Sequence, residues 1–114
     1  MTRERRRFVR IPQPFEAKYH RLGELSEVWR QMMTVNLGAG GIRFRSTEVL
    51  QAGDRLEVQI QLPGGREPLY MEGRVIWSLM QASGVTEHGV EFSDLTPEQQ
   101  AQIDEVVAFL KKHV

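Results

Sequence analysis

No cysteine occurs in the 114 residues of this chain. Structural disulfides and thiol chemistry are therefore excluded, and a reducing compartment is allowed. No apolar run approaches the roughly 20 residues that a membrane-spanning helix needs. The basic N-terminus is not followed by the apolar stretch of a signal peptide, so the cytoplasm is the expected location and membrane insertion is not expected. Histidine is scarce. His20, His88 and His113 lie far apart, with no carboxylate at ligand spacing, which argues against a metal site. Asp54 and Glu57 fall on opposite faces of a strand pattern. No Ser/His/Asp order, nucleophile elbow, phosphate loop or paired-carboxylate motif is found. The expectation is a binding module, not an enzyme.

Net charge is also missing, since 15 basic residues balance 15 acidic ones. The balance is uneven along the chain. Residues 1–10 hold five arginines and a single glutamate, a net of +4, which leaves −4 for the remainder. A neutral protein with one concentrated basic segment suits a local anionic target better than a nucleic-acid polymer along a whole face. Hydrophobic residues make up 40% and charged residues 26%, as in an ordinary soluble domain, and the length fits one domain with its own core.

Residues 1–13 read as a flexible basic arm, and residues 14–114 as a single domain. Phe15 to Tyr19 alternates apolar and polar, as a half-buried strand does. Val28 to Val35 is a longer strand candidate. Gly38 to Gly41 breaks the chain, and Ile42-Arg43-Phe44-Arg45 then alternates cleanly. Leu56, Val58, Ile60 and Leu62 alternate with polar residues in the clearest strand of the sequence. Pro63-Gly64-Gly65 is a turn signal. A further strand runs from Leu69 to Trp77, with Leu69, Met71, Val75 and Trp77 on one face, so Trp77 is expected in the core. Gln81 to Glu87 reads as a loop, and His88 to Ser93 as the last strand. Several strands separated by turns predict an antiparallel barrel or sandwich. The end is helical, at about residues 97–112. Thr96 can cap, Pro97 suits the first helical position and Gln99 completes a capping box. Ile103, Val106, Val107 and Leu110 form one apolar stripe, expected to lie on the strands.

Two short segments stand out. Arg5-Arg6-x-x-x-Arg10 is a guanidinium cluster; alone it reads as a solvated tail. Asn36-x-Gly38-x-x-Gly41 is a glycine-rich turn led by an amide; alone it reads as a hairpin. In this order, around this strand pattern, they resemble the PilZ domain, whose signature is Arg-x-x-x-Arg followed by Asp/Asn-x-Ser-x-x-Gly. Gly73-Arg74-Val75-Ile76-Trp77 is similar to the family's late barrel strand, and Gly89-Val90-Glu91-Phe92-x-x-Leu95 to its closing segment. The resemblance covers nearly the whole chain. It implies a mostly β fold, a six-stranded antiparallel β-barrel with a C-terminal amphipathic α-helix. It also implies a receptor for cyclic di-GMP that regulates an effector protein in motility, exopolysaccharide or biofilm output, with no cofactor besides that ligand.

The residue chemistry fits such a ligand, which carries two phosphates and two guanines. Arginine offers forked donors to phosphate oxygens and to guanine O6 and N7, and it stacks on bases. Arg6 and Arg10 are spaced to reach one compact ligand, and Asn36 can accept from a guanine N–H. Gly41 would let the backbone approach the ligand or take positive φ. Trp77, at its strand end, would alternatively stack on a guanine at the barrel rim. Arg5 directly before Arg6 is associated in this family with an intercalated ligand dimer. One residue departs from the signature: Gly38 stands where the family has serine. The lost hydroxyl is worth on the order of 1 kcal/mol, roughly a fivefold weakening. The alternative is therefore a PilZ-like adaptor that no longer binds the nucleotide and acts only through protein contacts. A monomer or weak dimer is expected.

Overall fold

The computed structural model describes residues 15–24, 28–61 and 67–112. Seven strands precede one helix: β1 (Glu16–Arg21), β2 (Arg30–Gln31), β3 (Met33–Leu37), β4 (Gly41–Ser46), β5 (Arg55–Gln61), β6 (Leu69–Met80), β7 (Thr86–Ser93) and α1 (Pro97–Lys112). All neighbouring strands pair antiparallel, in the order β2-β1-β5-β6-β7-β4-β3. The two outer strands of that order, β2 and β3, are separated in the chain by Met32 alone. A sheet whose edges are consecutive residues must curl onto itself, so the result is a nearly closed barrel. The expected Val28–Val35 strand is thus one bent strand shared between the two edges. Counted as one, β2 and β3 make the expected six strands. Met32 is buried at the bend, and its N–H donates to the Ala17 carbonyl at 2.9 Å.

The interior follows from the alternation. Leu56, Val58 and Ile60 of β5 are buried, while Glu57, Gln59 and Gln61 between them are not. Tyr19, Phe44, Met71 and Val75 join them from β1, β4 and β6. Fully burying one such side chain stabilises the fold by about 1.5–3 kcal/mol. Ile103 and Val106 of α1 are buried, and Val107 and Leu110 pack at the margin, as the stripe predicts. The capping box forms: Gln99 N–H donates to Thr96 Oγ1 at 3.0 Å, and Thr96 N–H donates to Gln99 Oε1 at 2.9 Å.

Two boundaries differ from the sequence pattern. β6 runs on to Met80, and β7 begins at Thr86, so the expected loop between them shrinks to five residues, 81–85. The reason lies in the register. Ser78 and Met80 pair with His88 and Thr86, and Ser78 Oγ lies 2.8 Å from both His88 Nδ1 and the Leu50 carbonyl. Pairing and polar contacts hold a hairpin whose sequence carries no strong apolar alternation.

His88 is fully buried, with its ring 5.2 Å from that of Phe44 and Nε2 3.2 Å from the Glu48 carbonyl. A carbonyl only accepts, so Nε2 carries the hydrogen in the neutral ring. Burial pushes the imidazole below its ordinary value of 6.5. The same end of the barrel holds Tyr19, whose hydroxyl donates to Glu48; burial first, and that bond second, push the phenol above its ordinary value. Arg30 Nε stands 3.4 Å from the Glu48 carboxylate.

The unfolded chain binds a proton at His88 near pH 6.5 and the folded chain resists it. The contribution of His88 is therefore complete above that pH and is lost as pH falls below it. Urea unfolding of wild type and His88→Gln from pH 8 to pH 5 should give a shallower acid-side decline in the variant.

Candidate functional site

The site is built by two β-bulges. Along β3 and β4, Met33 faces Arg45 and Thr34 faces Phe44; the register then slips, and Asn36 faces Arg43. Without the slip Asn36 would oppose buried Ile42. Along β6 and β7, Val75 faces Val90; the register slips again, and Trp77 faces Gly89. Without that slip Trp77 would oppose buried His88. Each bulge adds one residue and so inverts which side chains point out. Since Arg43 is also the partner of Gly89, Asn36, Arg43, Gly89 and Trp77 form one outward row across β3, β4, β7 and β6.

Trp77 is accordingly 40% exposed and not in the core. This corrects the placement of Trp77 beside Leu69, Met71 and Val75. The alternation is real up to Val75, and the bulge reverses it. The indole lies over Gly89, where an added Cβ would stand 2.3 Å from its Nε1 and 2.4 Å from its Cε2. A bare backbone is thus the shelf for an exposed aromatic face.

The turn between β3 and β4 completes the site. Gly38 N–H donates to the Gly41 carbonyl at 2.9 Å, and Phe92 N–H donates to the Gly40 carbonyl at 2.9 Å. From the helix, Gln100 Nε2 donates to the Ala39 carbonyl at 3.1 Å. Gly41 does not have the positive φ that glycine would permit; among the described glycines only Gly23, Gly53 and Gly84 do. Its requirement is a close approach within the barrel, because a Cβ there would lie 2.2 Å from the Val90 carbonyl oxygen. Gly38 is different: its Cβ would have only the Gly41 oxygen near it, at 4.0 Å, so a side chain fits.

Asn36, Gly38, Gly41 and Trp77 all line one open cleft of about 460 Å³, together with Arg43 and Glu91 among others. Four of the seven residues singled out in the sequence are therefore brought together. The other three, Arg5, Arg6 and Arg10, lie outside the described residues, as does the arm that contains them. Arg43, Gly89 and Glu91 belong to the cleft but were not singled out. The clean alternation after Gly41 was the signal for Arg43, since it puts that side chain outward. Gly89 and Glu91 sit in the segment compared with the family's closing strand, but their place follows only from the bulged register.

Glu87 sets the electrostatics next to the cleft. Its carboxylate takes Arg43 Nε at 3.1 Å and Arg45 Nε at 3.3 Å, and Gln81 Nε2 donates to it at 3.1 Å. Arg43 is thus anchored through Nε at the cleft wall. Among the described residues no group of His, Asp or Glu is arranged to hold a metal ion. No helix among them is long and apolar enough to cross a membrane.

The PilZ domain model matches residues 4–109, which includes both signature segments. The chain belongs to the PilZ domain family. Two solved structures share the fold of this PilZ domain. One is the inhibitor of motility MotI (DgrA) of Bacillus subtilis, with a TM-score of 0.66 at 18% identity over 87% of this chain and 47% of that one. The chain thus spans about half the length of MotI. The other is the PilZ domain of YcgR from Escherichia coli, solved with cyclic di-GMP, with a TM-score of 0.66 at 13% identity, covering 88% of this chain and 84% of that one. No curated protein matches the chain.

The two glycines of the cleft floor differ in what a methyl group would strike. Gly41→Ala meets backbone and should cost about 1–3 kcal/mol of stability in urea unfolding. Gly89→Ala meets the indole side chain first. It should leave stability closer to wild type while changing the tryptophan emission and its quenching by acrylamide.

Proposed function

We propose that this PilZ domain is a receptor for cyclic di-GMP and that the cleft on its outer wall is the nucleotide site. One observation carries the reading: two bulges bring the signature residue Asn36 and the exposed indole of Trp77 into one row beside the signature turn. Trp77 offers a face on which guanine can stack, worth about 1–3 kcal/mol per base. Asn36 accepts from a guanine N–H, and the backbone of the Gly38–Gly41 turn lines the site. Arg5, Arg6 and Arg10 take phosphates and guanine O6 and N7. In this reading the arm folds over the barrel when the ligand supplies negative charge, and the surface so formed recruits or releases an effector protein. Regulation of motility, exopolysaccharide or biofilm is the expected output, in the cytoplasm, with no catalytic step.

The rival is an adaptor that has lost the nucleotide and keeps only protein contacts. Gly38 favours it, because the hydroxyl expected there is absent. The room around Gly38 limits that argument, since the turn geometry is compatible with serine.

Isothermal titration with cyclic di-GMP, with GTP as control, separates the two. Saturable binding to wild type, lost in Arg6→Ala and in Arg10→Ala, is the expected result. Unchanged affinity in both variants would refute the arm assignment. Absence of binding up to high micromolar would leave the adaptor. Gly38→Ser should tighten binding roughly fivefold, the value of one neutral hydrogen bond.

A further inference from the structure

The binding mode above gives the Watson–Crick edge of guanine a single acceptor, the amide oxygen of Asn36. Guanidinium groups pair with O6 and N7. The Watson–Crick edge presents two donors, N1–H and the 2-amino group, and it needs acceptors. Asn36 supplies a neutral amide oxygen. Among the described residues, the one carboxylate that lines the cleft belongs to Glu91.

Its position is specific. Glu91 is exposed on β7, in register with Gly41 of β4 on one side and Arg74 of β6 on the other. Two residues earlier on the same outward face is Gly89. Towards the turn, Glu91 therefore borders two positions without side chains, and its carboxylate overlooks an open floor. The neighbouring Glu87, not Glu91, takes the guanidinium groups of Arg43 and Arg45. Glu91 makes no ion pair within the described residues. A carboxylate so placed repels a phosphodiester, unless it accepts hydrogen bonds from the ligand itself.

We infer that Glu91 is a guanine-specificity residue of this cleft, accepting from N1–H and the 2-amino group of one base. The inference rests on the cyclic di-GMP reading and deepens it. A carboxylate has only acceptors, so it matches the two donors of guanine. Adenine presents one donor and one acceptor on the same edge, and its N1 lone pair would face the carboxylate unpaired. A site with a polar group committed to one base rejects the other through that unpaired group. Hypoxanthine keeps N1–H and lacks the 2-amino group, so it isolates one of the two bonds.

The test is a titration of the full chain, wild type and Glu91→Ala, with cyclic di-GMP, cyclic di-IMP and cyclic di-AMP. Glu91 is exposed, so the substitution removes no core contact, and circular dichroism checks the fold. Wild type should prefer cyclic di-GMP over cyclic di-IMP by about tenfold or more, the value of a hydrogen bond to a charged group. Glu91→Ala should bind both with equal affinity and should narrow the gap to cyclic di-AMP. A preference that persists in Glu91→Ala overturns the assignment. So does tighter binding of all three ligands by the variant, which would mark Glu91 as a repelling charge only. Wild type that binds none of the three refutes the receptor reading itself, and the inference falls with it.

Discussion

The phase of two strands is the constraint on which this structure depends. In a closed barrel every residue points either into the core or out to solvent, and a single inserted residue exchanges the two. The barrel nearly closes because β2 and β3, at the two edges of the sheet, are one chain bent at Met32. The curl gives the sheet one face inside and one face outside. The bulges at Thr34/Asn36 and Val75/Trp77 then work against that fixed frame. They lie at opposite ends of the same cross-strand row. Between them they take an amide and an indole that simple alternation would bury and turn both outward.

The cleft is made as much by missing side chains as by those present. Gly41 is required where the β4 backbone passes the Val90 carbonyl, and Gly89 is required where the indole of Trp77 rests. Around that bare floor the polar groups come from separate strands. Arg43 is fixed by Glu87, the turn is tied to α1 by Gln100, and Glu91 stands at the edge. Sites built on paired strands hold their groups more precisely than sites on loops. Here the Gly38–Gly40 turn lies outside the strands, and the helix restrains it. The barrel end beyond the bulges is instead a polar cluster, with the His88 pKa lowered by burial and Glu48 bound by Tyr19 and Arg30.

Much of the architecture was legible in the residues. The alternation in Leu56–Ile60, the capping box at Thr96–Gln99 and the stripe from Ile103 to Leu110 each state a local preference that the fold keeps. The signature turn was legible too, and with the arginine segment it pointed to the PilZ family. The bulges were not. Periodicity extrapolates a strand in one phase, so it carried the face of Leu69, Met71 and Val75 on to Trp77. Nothing local in Val75-Ile76-Trp77 marks an inserted residue. The late start assigned to β7 failed for a related reason: Glu87 is held by Arg43 and Arg45, partners that are remote in sequence.

The sequence by itself determined the fold class, the closing helix, the absence of disulfide chemistry and the turn at Asn36–Gly41. Each of these follows from composition or from contacts a few residues apart. Only the tertiary structure decided that Trp77 faces solvent, that Gly89 is its shelf, and that Arg43 and Glu91 share a cleft with Asn36. Those facts depend on register between β3 and β4, β4 and β7, and β6 and β7. Register is set by the barrel as a whole, because each strand's phase is fixed by the neighbours on both sides of it.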